Sequence, residues 1–600
     1  MTAKFTAKNG TSGNDLRCLV MIDQLPGNQL ATVRKPPGGF RGWIARMEEK
    51  LTRKVLPDTQ VSSHIRGNRV ATDYLIQALL EHSHRAQFSL VVEGSRRGEF
   101  EQWAANWLQK DGLRPVEIHT APELFGHGLD TIAPNIWLDL SGLGDSGLRM
   151  RDLFSSRVFP VVSLQHGISH HTLLYGLFLR IMLTPSYACD SLICTSKACQ
   201  KAVANILAAV SASFNDQFSA KISFEGRLDL IPLCVDTDAL RPRDKLSLRK
   251  QLGISKDAVV LLYVGYLSSV KADLTPLLPM MRRLVDENPR VNLQFMIAGT
   301  GPESYGKSLL TTVQELNLGK SVTVLREVSD TFKEQLFGAA DIFVAPCESM
   351  NESFGLTVVE AMSCGLPQVV ADWDGYRDTV AHGETGFLIS TCWGRCDGDF
   401  CCTGDIFGWV YDHTLLSQSV SLDVRCMQEH LQALICNPEL RATMSERSRD
   451  RAVAEFSHAS VARRYDELWA ELTAIADKLQ PYAKARRFDQ PAYFNFLGHF
   501  ASKELTDDCV VRAAANNCLP ISKLIHNVQG GFSGIPVLDK ALLDRLIQIV
   551  STAESASEGK SVRELISQTA NETRSSDTIR RHILFLLKHG KLGFQSRNRS

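Results

Sequence analysis

Short, continuously apolar runs alternate with helix-period segments along most of this chain, and the alternation starts over once. RCLVMID (17–23), FSLVVEG, VEIHT, NIWLDLSG and FPVVSLQHG read as strands. GNRVATDYLIQALLEHS (67–83) reads as a helix with Val70, Tyr74, Leu75, Leu79 and Leu80 on one side. LICTSKACQKAVANILAAV reads as a strand and then a helix, with Ser196 as its cap. Runs that are apolar throughout, rather than at every second position, mean strands buried on both faces, hence a parallel sheet covered by helices. RLDLIPLCVD (227–236) and a charged stretch close this series. AVVLLYVG (258–265) opens a second, continued by VNLQFMIAG (291–299), SVTVLRE (321–327), ADIFVAP (340–346) and PQVVAD (367–372). The expectation is an α/β protein with two doubly wound parallel-sheet domains facing a cleft, ligands lying at the carboxyl ends of the strands.

At 600 residues the chain is too long for one ordinary domain. The expected divisions are a disordered 1–15, a first domain over 16–236, a second over 237–455, a crossover helix over 456–480 and a helical module over 481–600. EFSHASVARRYDELWAELTAI (455–475) reads as one long amphipathic helix. In the last module, SVRELISQTA and SSDTIRRHILFLLKHGKLGF have the look of a small helix-turn-helix or winged-helix unit. Lys+Arg and Asp+Glu are 66 each, a net charge of +0, which argues against a chain built to neutralise nucleic-acid phosphates. The six Lys/Arg after residue 579, with no acid among them, read as a solvated basic end. The polar N-terminus carries no secretory signal, and no run of about 18 apolar residues appears, so a cytoplasmic location is expected. Peripheral contact with a membrane stays open. Most of the fifteen cysteines then read as small buried hydrophobes.

The stretch CESMNESFGLTVVEAMSCGLPQVVAD (347–372) places two glutamates, Glu352 and Glu360, eight positions apart inside an apolar run. ADIFVAP ends a strand, CESMNESFG is a loop, LTVVEAMSC has helical spacing, and Gly365 with Pro367 ends it. A helix N-terminus over Gly355–Thr357 at a strand's carboxyl edge is an anion site. Carboxylates on either side of it would accept hydrogen bonds from hydroxyls. A molecule with hydroxyls on both sides of a phosphate is a nucleotide sugar.

This segment resembles the donor-binding segment of glycosyltransferase family 4, retaining enzymes with two Rossmann-like domains (the GT-B fold). The resemblance implies that Glu352 contacts donor-sugar hydroxyls and Glu360 the ribose. It implies that backbone N–H groups of Phe354, Gly355 and Leu356 face the sugar and diphosphate, at the helix end that includes Thr357. The family's G-R-x4-K is similar to GYLSSVK, with Gly265 and Lys271 in place and Tyr266 where the family has arginine. Lys271 would neutralise the diphosphate. FMIAGTGP matches the turn near the nucleotide, and Val328 is the candidate backbone contact to the base. His166, in FPVVSLQHG, is the candidate partner of the donor sugar in the first domain.

The resemblance covers roughly 220–475 well, 60–220 loosely and 481–600 not at all. It implies an enzyme that moves a sugar, with retention, from a nucleoside-diphosphate sugar to an unknown saccharide, lipid or protein acceptor, with no cofactor and no catalytic metal. The alternative, resting on Tyr266, is a non-catalytic sugar-nucleotide-binding or scaffold protein. DTD (236–238), DWD (372–374) and DGD (397–399) resemble a metal-binding pattern too short to weigh. Cys392, Cys396, Cys401 and Cys402 lack a standard zinc-finger spacing and read as incidental thiols. GGFRGW (38–43) reads as an acceptor loop or a plain turn.

Overall fold

A computed structural model of the protein describes residues 16–21, 67–92, 97–107, 115–120, 129–140, 145–165, 168, 171–396, 398, 409–482, 493–514, 519–529, 538–552, 558–570 and 575–594. The expected disordered 1–15, the GGFRGW segment, His166, Cys401 and Cys402 lie outside these residues.

The first sheet has seven strands: β1 (Leu16–Met21), β2 (Ala86–Val92), β3 (Glu117–Thr120), β4 (Ile136–Asp139), β5 (Val161–Gln165), β6 (Ser191–Cys194) and β7 (Arg227–Leu230). Their order is β3-β2-β1-β4-β5-β6-β7, and every pairing is parallel. The second sheet has six: β8 (Ala258–Tyr266), β9 (Asn292–Thr300), β10 (Val322–Arg326), β11 (Ile342–Ala345), β12 (Gln368–Ala371) and β13 (Gly386–Ile389). Its order is β10-β9-β8-β11-β12-β13, again all parallel. The chain is thus α/β with two doubly wound parallel-sheet domains, the GT-B architecture. In β8 the residues from Ala258 to Val264 are buried one after another, the continuous apolar signature of a strand covered on both faces. In each sheet the order reverses beside the first strand of its series, and such a switch point opens a crevice at the carboxyl edge.

Four helices position the site: α1 (Gly67–His82), α2 (Leu356–Ser363), α3 (Pro438–Phe456) and α4 (His458–Ala476). The single helix expected over 455–475 is instead the end of α3 and all of α4. Ser457 separates them in an extended conformation (φ −68°, ψ 155°) and its hydroxyl accepts the Ser460 N–H at 3.3 Å. There the chain also makes a backbone bridge with Val235, whose N–H donates to Phe456 O at 2.9 Å. Helix periodicity could not show this break, because the segments on both sides of Ser457 are helical. After it, α4 returns to the first domain. Asp466 accepts the Ser83 hydroxyl at 2.6 Å and the His84 N–H at 2.8 Å, tying α4 to the end of α1. Ser457→Ala removes the cap and is expected to lower stability by about 1 kcal/mol in a urea titration, with the slope unchanged.

The last module was expected to be helical. It also holds a three-stranded antiparallel sheet, with Val510–Ala513 between Lys560–Ser561 and Leu592–Phe594. These strands have two to four residues, too few for a period to be read. Leu542, Leu546, Val562, Leu565, Ile579, Ile583 and Leu586 form a separate core beneath them. Ser561 and Glu564 cap the 562–569 helix reciprocally. Among the described residues no helix is long and apolar enough to cross a membrane.

Candidate active site

The site lies at the carboxyl edge of the second sheet, where β8 and β11 are neighbours. Gly265, next to last in β8, lies opposite Gly299 of β9, and the two backbones meet so closely that a Cβ on Gly299 would lie 1.8 Å from the Gly265 carbonyl oxygen. Arg326, at the end of β10, braces the same edge by donating to Gly301 O at 3.2 Å. Glu327 follows and donates its N–H to Gly299 O at 3.0 Å, which places Val328 at this edge, partly buried against the core.

Gly355 opens α2 with φ 91°, a left-handed conformation that a side chain resists, and no side chain caps the helix. A Cβ there would lie 2.3 Å from the Tyr376 ring. Phe354 just before it is 3% exposed and packs edge-on against Phe456, with centroids 5.7 Å apart. The first turn of a helix has N–H groups with no intrahelical acceptor. Those of Leu356 and Thr357 therefore stand at a positive dipole end, suited to an anion.

Glu352, Lys271 and Asp374 converge on the loop in front of this helix. Lys271 Nζ pairs with Glu352 Oε2. The Cys347 thiol has two acceptors within reach of its one hydrogen, the Lys271 carbonyl at 3.3 Å and Glu352 Oε2 at 3.5 Å. The Glu352 N–H donates to Asp374 Oδ2 at 3.2 Å, and Gly375 N–H donates to Glu352 O at 3.1 Å. Asp374 holds φ 45°. Burial pushes its carboxyl up to about 7, against the pull of Lys271. The DWD triplet is therefore a brace for the Glu352 loop: Asp374 takes that N–H and Asp372 pairs with Arg377 at 3.0 Å. In DTD, Asp236 accepts the N–H groups of Asp238 and Ala239 and closes a turn.

Glu360 is 1% exposed, one turn into α2. Lys333 Nζ meets both its oxygens, at 2.9 and 3.1 Å, and the Tyr74 hydroxyl of α1 donates to it at 3.3 Å. Burial and the Glu360 carboxylate hold the Tyr74 phenol well above its usual range, so it stays a donor. Lys333 and Tyr74 lie 27 and 286 residues from Glu360 in sequence, and no motif spacing reports such a meeting. Each glutamate thus carries its own lysine. Tyr266 is 44% exposed at the end of β8.

The first domain reaches this loop directly. The Thr195 hydroxyl, just after β6, donates to Ser353 O at 3.0 Å, and Lys197 N–H donates to Asp378 Oδ2 at 2.8 Å. Ser196 accepts the Cys199 N–H at 3.0 Å, capping its helix. The carboxyl edges of both sheets therefore face one another across the site.

Residues 244–393 match the family model described as glycosyl transferases group 1. A D-inositol 3-phosphate glycosyltransferase of Geodermatophilus obscurus is 36% identical over 178 residues, 28% of this chain and 38% of that protein. A D-inositol 3-phosphate glycosyltransferase 2 of Catenulispora acidiphila is 34% identical over 180 residues, 29% of this chain and 41% of that protein. The matched part thus spans about two-fifths of these relatives. Among solved structures, HepE of Anabaena in complex with UDP and glucose is 17% identical and covers 76% of this chain and 100% of its own, with a TM-score of 0.46. Sucrose-phosphate synthase of Thermosynechococcus elongatus is also 17% identical, covering 77% and 100%, with a TM-score of 0.46.

Proposed function

We propose that this chain, whose second sheet domain is a group 1, family 4-like glycosyl transferase domain, moves a sugar with retention from a nucleoside-diphosphate donor to an acceptor bound by the first domain. The observation that carries the reading is the uncapped, glycine-opened end of α2 with the Lys271–Glu352 pair beside it and Glu360 one turn in.

The diphosphate is held by the first N–H groups of α2 and by Lys271. Charge builds on it as the glycosidic bond breaks, and preorganised donors stabilise such charge. Glu352 accepts hydroxyls of the donor sugar once Lys271 turns to the phosphates. Glu360 accepts the ribose hydroxyls while Lys333 and Tyr74 fix its carboxylate. In this scheme the cations and the helix end take the part a metal plays elsewhere, and no cofactor enters. Tyr266 supplies a hydroxyl where a guanidinium would give a charged fork, so Lys271 bears more of the diphosphate binding. His166 contacts the sugar from the first domain. No residue is assigned as a nucleophile.

Incubating the full chain with labelled nucleoside-diphosphate sugars tests the reading. Release or transfer of sugar from one donor is expected. Binding of a nucleotide sugar with no turnover would instead support the non-catalytic alternative, which Tyr266 keeps in view.

Asp374 gives this site a pH dependence. Its carboxyl is neutral below about 7 and adds negative charge beside the diphosphate above it. Donor KM is expected to rise as pH climbs through about 7, and Asp374→Asn to flatten that rise, in initial-rate assays. The folded-state pKa lies above the ordinary 3.8, so the stabilising contribution is complete below that value and is lost as pH rises to about 7. The melting temperature of the wild type should therefore fall relative to Asp374→Asn across that window.

A further inference from the structure

We propose that Glu81, His82 and His458 form a divalent-metal site, suited to Zn²⁺, at the joint between the two sheet domains. One ligand atom from each lies within 4.8 Å of the others. Ligands around a tetrahedral zinc, bound at about 2.0–2.2 Å, stand about 3.4 Å apart, so small side-chain rotations close the set. Three protein ligands leave a fourth position for water.

The second, independent observation is His458 itself. Its side chain is 7% exposed and its Nε2 is buried with no hydrogen-bond partner. An unpaired buried nitrogen costs roughly 1–3 kcal/mol, which bonding to a cation would offset. The surroundings favour a cation as well. Asp236 and Asp238 act electrostatically on His458, and Glu81 brings a third carboxylate.

The frame is set in advance. The end of α1 is already fastened to the middle of α4 through Asp466, and the rings of His82 and His458 lie 6.3 Å apart. His458 begins α4, beside the Val235–Ser457 bridge where the chain passes from one domain to the other. On α1, Tyr74 packs its ring against His458 at 5.9 Å and donates to Glu360. A bound ion would hold α1 over the second domain without touching the reacting atoms, a structural role that does not depend on the proposed reaction. The site is separate from Cys392, which lies on the strand 391–393, and from Cys396 just after it.

Titration of the full chain, stripped with chelator, by Co²⁺ and then Zn²⁺ tests this. One equivalent of Co²⁺ is expected, with tetrahedral visible absorption, no thiolate-to-cobalt charge transfer and displacement by Zn²⁺. His458→Ala and His82→Ala should each weaken binding by about tenfold or more. The exposed Glu81→Gln leaves the fold intact and should weaken binding and remove part of the Zn²⁺-induced rise in melting temperature. Failure to bind either ion, binding as tight as the wild type's in all three variants, or a thiolate charge-transfer band would overturn the proposal.

Discussion

Glu352→Gln is expected to lower turnover of the nucleotide-sugar donor by about 10²–10³-fold, some 2.7–4 kcal/mol, the scale of one preorganised contact made in the transition state. The substitution keeps the shape of the side chain and the N–H bond to Asp374, because that bond uses the backbone. It removes the charge that pairs with Lys271, the charge that in the proposed scheme orients the sugar. Nucleoside-diphosphate affinity should therefore stay level or rise while kcat falls. Isothermal titration with the diphosphate, beside rate measurements on the sugar donor, separates the two effects. Unchanged kcat with weakened diphosphate binding would mean that Glu352 serves the fold of the loop rather than the sugar.

Asp190→Ala is the substitution expected to cost most stability, about 3–5 kcal/mol. Asp190 and Arg151 form a buried pair with contacts of 2.6 and 2.7 Å, and Arg151 is 3% exposed. Asp190 also accepts the N–H groups of Val161 at 2.9 Å and Tyr187 at 2.8 Å, while Arg151 donates to Phe159 O at 2.6 Å. Removing the carboxylate leaves a guanidinium and two backbone donors buried without it. At about 2–4 °C per kcal/mol for a domain of this size, the first domain should melt roughly 10 °C lower by calorimetry. Asp190→Asn, which keeps part of the acceptor set, should lose less. The pair sits away from the donor loop, so donor KM should not change below the transition.

The parallel sheets were legible because burial on both faces leaves an uninterrupted apolar run, as in Ala258–Val264. The α2 end was legible because Gly355, Gly365 and Pro367 punctuate it within a few residues. What local pattern carries, sequence reveals; what the fold assembles from afar, it does not. Lys333 and Tyr74 reach Glu360 only through tertiary packing, and neither has a motif of its own. Asp374 was visible only as part of a triplet too short to weigh, yet it holds the Glu352 loop. The break at Ser457 was hidden between two helical patterns, although a serine followed by a fresh apolar period was its one available signal. The short strands of the last module fell below the length at which alternation can be recognised.

In the proposed scheme the Gly355 helix end and Lys271 bind a nucleoside diphosphate. Thermal unfolding of the full chain in a panel of nucleoside diphosphates and their sugars tests this binding. A specific ligand at a hundred times its Kd should add about 2.7 kcal/mol of stability and raise the melting temperature, and Lys271→Met should abolish most of that rise. No shift with any of them at millimolar concentration, or an equal shift in Lys271→Met, would contradict it.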